Sequence, residues 1–225
     1  MLHRGLIINP LRTPRSLRDT EYWTAPKNQS FIQNYRQMTY DSTQLLNELD
    51  NAVKDIIDIV ETDFATYSPR ELNWKPTPEK WSAAECLEHL NIYSRYYNPA
   101  MKKAIQEKNH LIFTANFKSA WFGDFSVKSV HPDNAKKQKT LKRLNPIHSE
   151  LPPTVLENFL SHQQQLRKII SKSRTVNLYK IKIPAEVAKL LKLRLGDCLR
   201  FIVAHEQRHI QQAKNVLDGT SPLIA

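Results

Sequence analysis

His205 and His209 lie four residues apart in the run Phe201-Ile202-Val203-Ala204-His205-Glu206-Gln207-Arg208-His209. On a helix that spacing places one imidazole above the other, so both rings address a single point in space. Two neutral ring nitrogens held so close are suitable donors for a divalent transition metal. The run lies in an amphipathic stretch from about residue 197 to 217, free of internal Gly and Pro except for the closing Asp218-Gly219 stop signal. A third ligand is what turns such a pair into a site, and His89 is the candidate. Cys86, Ile92, Tyr93 and Tyr96 share its face of a second helix, a largely apolar one that points inward. Alone, an inward histidine is more often a hydrogen-bonded core residue; beside another inward pair it reads as a ligand.

The same run also matches the His-Glu-x-x-His pattern of zinc proteases, in which the Glu is a general base. Such enzymes take their third ligand downstream, and after His209 the chain offers neither His nor Glu, only Asp218. The protease reading is therefore weak, and Glu206 is expected to face solvent. Cys86 and Cys198 are expected to pack as small buried side chains rather than to bind metal. Tyr93 and Tyr96, one and two turns beyond His89, are expected to line the pocket. Arg208, a third of a turn from a ligand, is expected to pair with Glu85 or Glu88 behind the site.

The elements that must carry these residues are helices. Four Gly and thirteen Pro in 225 residues suit long helices joined by Pro-punctuated loops, in one domain with a proper core. The first helix is expected from about Ser30 to Phe64, with Tyr35, Met38, Leu45, Leu49, Val53, Ile56, Ile57 and Val60 as its apolar stripe. A second starts at Ser82, where Ser82 and Glu85 form a capping box with Trp81 just outside, and runs to about Lys108. A third follows Pro152-Pro153. The segment from Pro184 to Leu195 is expected as a short helix, and the fourth long helix starts at Gly196-Asp197 with Asp197 as its N-cap. Between the second and third helices lies a long connection, residues 109–151, whose aromatic half is expected to fold over one end of the bundle. The resulting fold class is all-α, a four-helix bundle spanning residues 29–219, preceded by an extended arm at 1–28.

A net charge of +11 and a pI near 9.6 raise the question of nucleic acid. The basic residues concentrate in the N-terminal arm and in residues 128–143, and neither stretch carries a helix-turn-helix, zinc-finger or ribonucleoprotein signature. Solvated loops are the expected reading, and a nucleic-acid partner is not expected. No apolar run approaches a membrane span and no signal peptide is recognisable, so a cytoplasmic protein with no membrane partner is expected. Two cysteines imply no disulfide framework.

Two blocks, Trp81-Ser82-Ala83-Ala84-Glu85 leading to His89-Leu90, and Leu195-Gly196-Asp197 leading through Phe201 to His205, Arg208, His209 and Gln212, resemble the DinB-like superfamily of four-helix metal-dependent enzymes. The resemblance implies one divalent metal ion, zinc or nickel, held by His89, His205 and His209. It also implies a homodimer and a small-molecule substrate. The family includes S-transferases that employ a low-molecular-weight thiol cosubstrate, so thiol-dependent transfer to a small electrophilic molecule is the expected activity. The alternatives are a metal-dependent hydrolase using metal-bound hydroxide, since three imidazoles leave an open position on the ion, and a non-catalytic, metal-stabilised binding bundle.

Overall fold

The computed structural model describes residues 38–136 and 139–220. The expected arm and the first residues of the expected first helix lie outside them. Among the described residues a short strand β1 (Thr39–Asp41) leads into α1 (Ser42–Thr62). The helix begins there because the Asp41 side chain accepts from the Gln44 N–H and caps it. Met38, expected on the apolar stripe, is half exposed beside β1, whereas Leu45, Leu49, Val53, Ile56, Ile57 and Val60 are buried as the helical period requires.

After a short helix α2 (Pro69–Asn73) comes α3 (Ala83–Glu107), which starts at the expected place. Ser82 accepts from the Glu85 N–H, and the Glu85 carboxylate accepts from the Ser82 N–H. The long connection is built rather than loose. It holds a strand β2 (Asn116–Lys118), antiparallel to β1, a helix α4 (Trp121–Val130) and a 3-10 turn at Lys142–Leu144. Its aromatic half meets the bundle at the end where α1 and the last helix begin, with the Ser42 N–H donating to the Ala115 carbonyl and the Phe117 ring packed on Gly196, and α4 then runs alongside the last helix. Phe117 is fully buried, while Trp121 and Phe125 stack on each other at the surface.

Helix α5 (Thr154–Ser173) is followed not by the expected short helix but by an antiparallel hairpin, β3 (Lys182–Ala185) and β4 (Ala188–Arg194). The Lys- and Leu-rich stretch has helical propensity, but pairing Ile183 with Leu193 puts both into the core. Tertiary burial outweighs local propensity here.

The last helix, α6 (Leu195–Thr220), corrects the expected role of Asp197. The N–H groups of Leu195 and Gly196 donate to the carbonyls of Ile181 and Leu178, so the helix needs no side-chain cap. Asp197 lies inside the first turn, where its buried carboxylate accepts from Ser119 Oγ, the Ala120 N–H and Arg200. It ties α6 to the start of α4. Gly196 is required by contact: a Cβ there would lie 2.7 Å from the Phe117 ring.

In the resulting bundle α3 packs on α5 and α6, and α1 packs on the same two helices from the other side. Tyr97, Met101, Leu166, Ile170, Leu199 and Val203 meet in the core between them.

Candidate metal centre

Three side chains from two helices meet near one end of the α3–α6 seam. His89 Nε2 lies 3.2 Å from His205 Nε2, and the nearest ring nitrogens of His89, His205 and His209 all lie within 4.8 Å of one another. Two nitrogens bound to one tetrahedral zinc at about 2.0–2.1 Å stand about 3.3 Å apart, so the first pair already has a ligating separation. Among the described residues this is the group of His, Cys, Asp and Glu side chains placed to hold a metal ion.

The hydrogen bonds behind the rings aim them. His89 Nδ1 donates to the Leu144 carbonyl at 2.7 Å. A carbonyl can only accept, so the ring proton of neutral His89 is on Nδ1 and Nε2 turns its lone pair inward. His209 Nδ1 donates to Gln212 Oε1 at 3.0 Å in the same way. With the Nε2 lone pair of His89 facing His205 Nε2, either a hydrogen or a cation must lie between them. Outward-facing Nδ1–H groups tied to oxygen acceptors are how metal-binding histidines are oriented.

Burial keeps the rings neutral. It lowers His89 to a pKa of about 4 against the raising effect of the Leu144 carbonyl. It lowers His209 to about 3, with the neighbouring His89 adding to the effect. His205 is lowered well below its ordinary value, by burial first and then by the other two imidazoles. Three neutral imidazoles are the donor set that a divalent borderline ion takes, and the residues present fit such an ion.

Aromatic rings wall the cluster. Tyr93 lies 4.4 Å from the His205 ring and 5.0 Å from the His89 ring; Trp81 lies 4.7 Å from His89 and 5.4 Å from His209. Phe201 stacks on His205 at 5.7 Å. Burial, then the charge of Glu186, raises the Tyr93 hydroxyl to about 12, so it stays protonated. Tyr96 is farther along α3, its hydroxyl donating to the Pro184 carbonyl at 3.4 Å.

Other expected neighbours are placed elsewhere. Arg208 does not pair with an acid: its guanidinium donates to the carbonyls of His131, Asn134 and Lys136, and so holds the chain after α4 against α6. Glu85 is fully buried in its capping box and bonded to Lys75 at 2.6 Å, and Glu88 pairs with Arg95. Cys86 and Cys198 are buried, with thiol pKa values pushed up by burial. Glu206, expected in solvent, is 2% exposed and turned toward α5, where Oε1 accepts from Gln163 Nε2 at 2.9 Å. Burial raises its pKa to about 8, so it is largely protonated at neutral pH. Leu144 and Asn145, whose side-chain oxygen accepts from Trp81 Nε1 at 3.0 Å, carry no sequence signal for a role at the site, because their contribution is one of backbone and tertiary position.

A family model described as the DinB superfamily matches residues 58–213, which takes in both motif blocks and all three histidines. The chain belongs to the DinB superfamily. It is also similar to the uncharacterized protein YuaE of Bacillus subtilis (strain 168), with 26% identity over 152 residues, 66% of this chain and 85% of that one. No solved structure matches it. DinB superfamily membership and the three-histidine cluster together fit a metal-binding protein.

Proposed function

We propose that His89, His205 and His209 hold one divalent metal ion, and that this DinB superfamily protein uses it in thiol-dependent transfer to a small electrophilic molecule. The observation that carries the reading is the convergence of three neutral, buried imidazoles, two of them oriented from behind by oxygen acceptors. A divalent ion held by three imidazoles acts as a Lewis acid that lowers the pKa of a coordinating thiol or water.

The surrounding residues supply the rest. Trp81, Tyr93 and Phe201 give the cluster an aromatic wall that suits a small apolar reactant. Tyr93, protonated, is a hydrogen-bond donor one turn from His89 for a leaving group or carbonyl oxygen. The zinc-protease arrangement is unfavourable because Glu206 is bonded to Gln163 and largely protonated. Transfer from a thiol needs no such carboxylate base, since the nucleophile is already the thiolate once its pKa is lowered.

Metal content of the wild-type protein and of His89→Ala, purified without chelator, tests the ligand set. The variant should bind one or two orders of magnitude more weakly, and full occupancy in it would remove His89 from the site. Epoxide and chlorinated electrophiles, each assayed with and without low-molecular-weight thiols, test the reaction. Turnover that requires the thiol supports transfer. Turnover without it turns the reading to hydrolysis, and none in either arm, with metal still bound, to a binding bundle.

A further inference from the structure

The Leu144 carbonyl that orients His89 belongs to a three-residue 3-10 turn, Lys142–Leu144, far in sequence from the helices that supply the histidines. So short a turn does not hold its own carbonyl in place; something outside it must. Arg143, the residue before Leu144, reaches across to Glu186 in the turn of the β3–β4 hairpin. Its Nε donates to Oε1 at 3.1 Å, and one terminal nitrogen donates to Oε2 at 3.2 Å and to the Glu186 backbone carbonyl at 3.1 Å. The planar guanidinium thus grips one residue at three points, a geometry that a lysine cannot reproduce.

Glu186 is in turn fastened to the helix that carries His89. Its N–H donates to Tyr97 Oη at 3.0 Å, and Tyr97 lies on α3 two turns beyond His89 with its ring fully buried. The neighbouring Tyr96 hydroxyl reaches the Pro184 carbonyl of the same hairpin. The bonds close a circuit: His89 to the Leu144 carbonyl, through Arg143 to Glu186, from Glu186 to Tyr97, and back along α3 to His89. Tyr93, between His89 and Tyr97 on that helix, feels the charges of both Glu186 and Arg143, so the pair stands near one of the rings that wall the histidine cluster.

We infer that the Arg143–Glu186 pair is a positioning device for the proposed metal ligand His89, holding the Leu144 carbonyl where it fixes the ring's tautomer and direction. Neither residue touches the ion. The inference rests on the three-histidine reading above. Partners behind a metal-binding histidine alter affinity by about 10–100-fold when removed, and this pair acts one bond farther out. The expected effect is therefore at the lower end of that range.

The test uses the full chain, cobalt(II) as the probe metal, and Arg143→Met, Arg143→Lys and Glu186→Gln beside the His89→Ala control. The Arg143 side chain is 55% exposed and that of Glu186 13%, and a pair open to solvent on one side contributes little to folding, so the variants should fold with thermal transitions lowered by a few degrees at most. Cobalt affinity should fall about tenfold in Arg143→Met and Glu186→Gln and less in Arg143→Lys, with an altered cobalt absorption band. In the metal-free protein, the hydrogen-bonded His89 Nδ1–H proton resonance should broaden in the same order through faster exchange. A purely structural role would lower the thermal transition and leave that resonance and the cobalt band unchanged. Wild-type affinity and an unchanged resonance in both Arg143→Met and Glu186→Gln overturn the inference. Undiminished affinity in His89→Ala would overturn the metal-site reading itself, so the two failures are separate.

Discussion

At the scale of single residues, the site works by burying groups that would ordinarily be charged in water and giving each a fixed direction. Burial lowers all three histidines, so protons do not compete with a metal for their lone pairs near neutral pH. The neighbouring Glu206 follows the opposite course: burial protonates it, and its partner is Gln163 on α5. Glu206→Gln, which keeps the shape and the hydrogen-bonding capacity, should therefore leave metal affinity and any thiol-dependent turnover within about twofold of wild type. A general base would lose about 10²–10⁴-fold in rate on the same substitution, and steady-state kinetics of the variant distinguish the two. The burial of Glu206 was not legible from its position between His205 and His209, because a polar residue beside a ligand serves a metal, a partner helix or water equally well. Which of these it meets depends on α5, a helix from a different part of the chain.

At the scale of elements, each histidine is placed by a helix that is itself pinned at its ends. The Ser82–Glu85 capping box that starts α3 was readable, since it is a local pattern of four residues. The anchoring of α6 was not: Leu195-Gly196-Asp197 resembles a helix start signal, yet Asp197 serves Ser119 and Ala120, and Gly196 makes room for Phe117. On the far side of the bundle, Arg167 of α5 donates to Asp50 of α1 at 2.9 Å, and Lys54 lies 3.1 Å from the same carboxylate. Burial acts to raise the Asp50 pKa, but the hydrogen bonds from Arg167 and Lys54 outweigh it and leave the group lowered. A carboxylate lowered in the folded state contributes stability above its unfolded value near 3.8, and that contribution is lost as pH falls through the folded value. Arg167→Met should accordingly cost about 1 kcal/mol or less at pH 7, because the pair is partly exposed, and progressively less as the pH is lowered below 3.8. Urea unfolding of the two proteins at pH 7 and at pH 2 measures this, and a gap that is undiminished at pH 2 would assign the loss to packing instead.

At the scale of the whole molecule, the proposed ion would join α3 to α6, helices whose ligands are separated by more than a hundred residues of sequence. An ion that binds only the folded chain stabilises it by about 2.7 kcal/mol at a free concentration one hundred times its Kd. Chelation should therefore lower Tm by several degrees, zinc should restore it, and His89→Ala should show a much smaller response to both at the same zinc concentration. Scanning calorimetry of the wild type and variant reads this directly. No helix among the described residues is long and apolar enough to cross a membrane. By itself the sequence determined the helical class, the stripes of α1, α3 and α6 and the three histidines, because helical periodicity, capping and four-residue spacing are local properties. Tertiary structure alone decided that residues 182–194 pair as strands, that Arg208 grips backbone carbonyls, that Glu206 is buried against Gln163, and that the Leu144 carbonyl stands behind His89. Each of these depends on a partner distant in sequence, and no local pattern encodes which partner packing will supply.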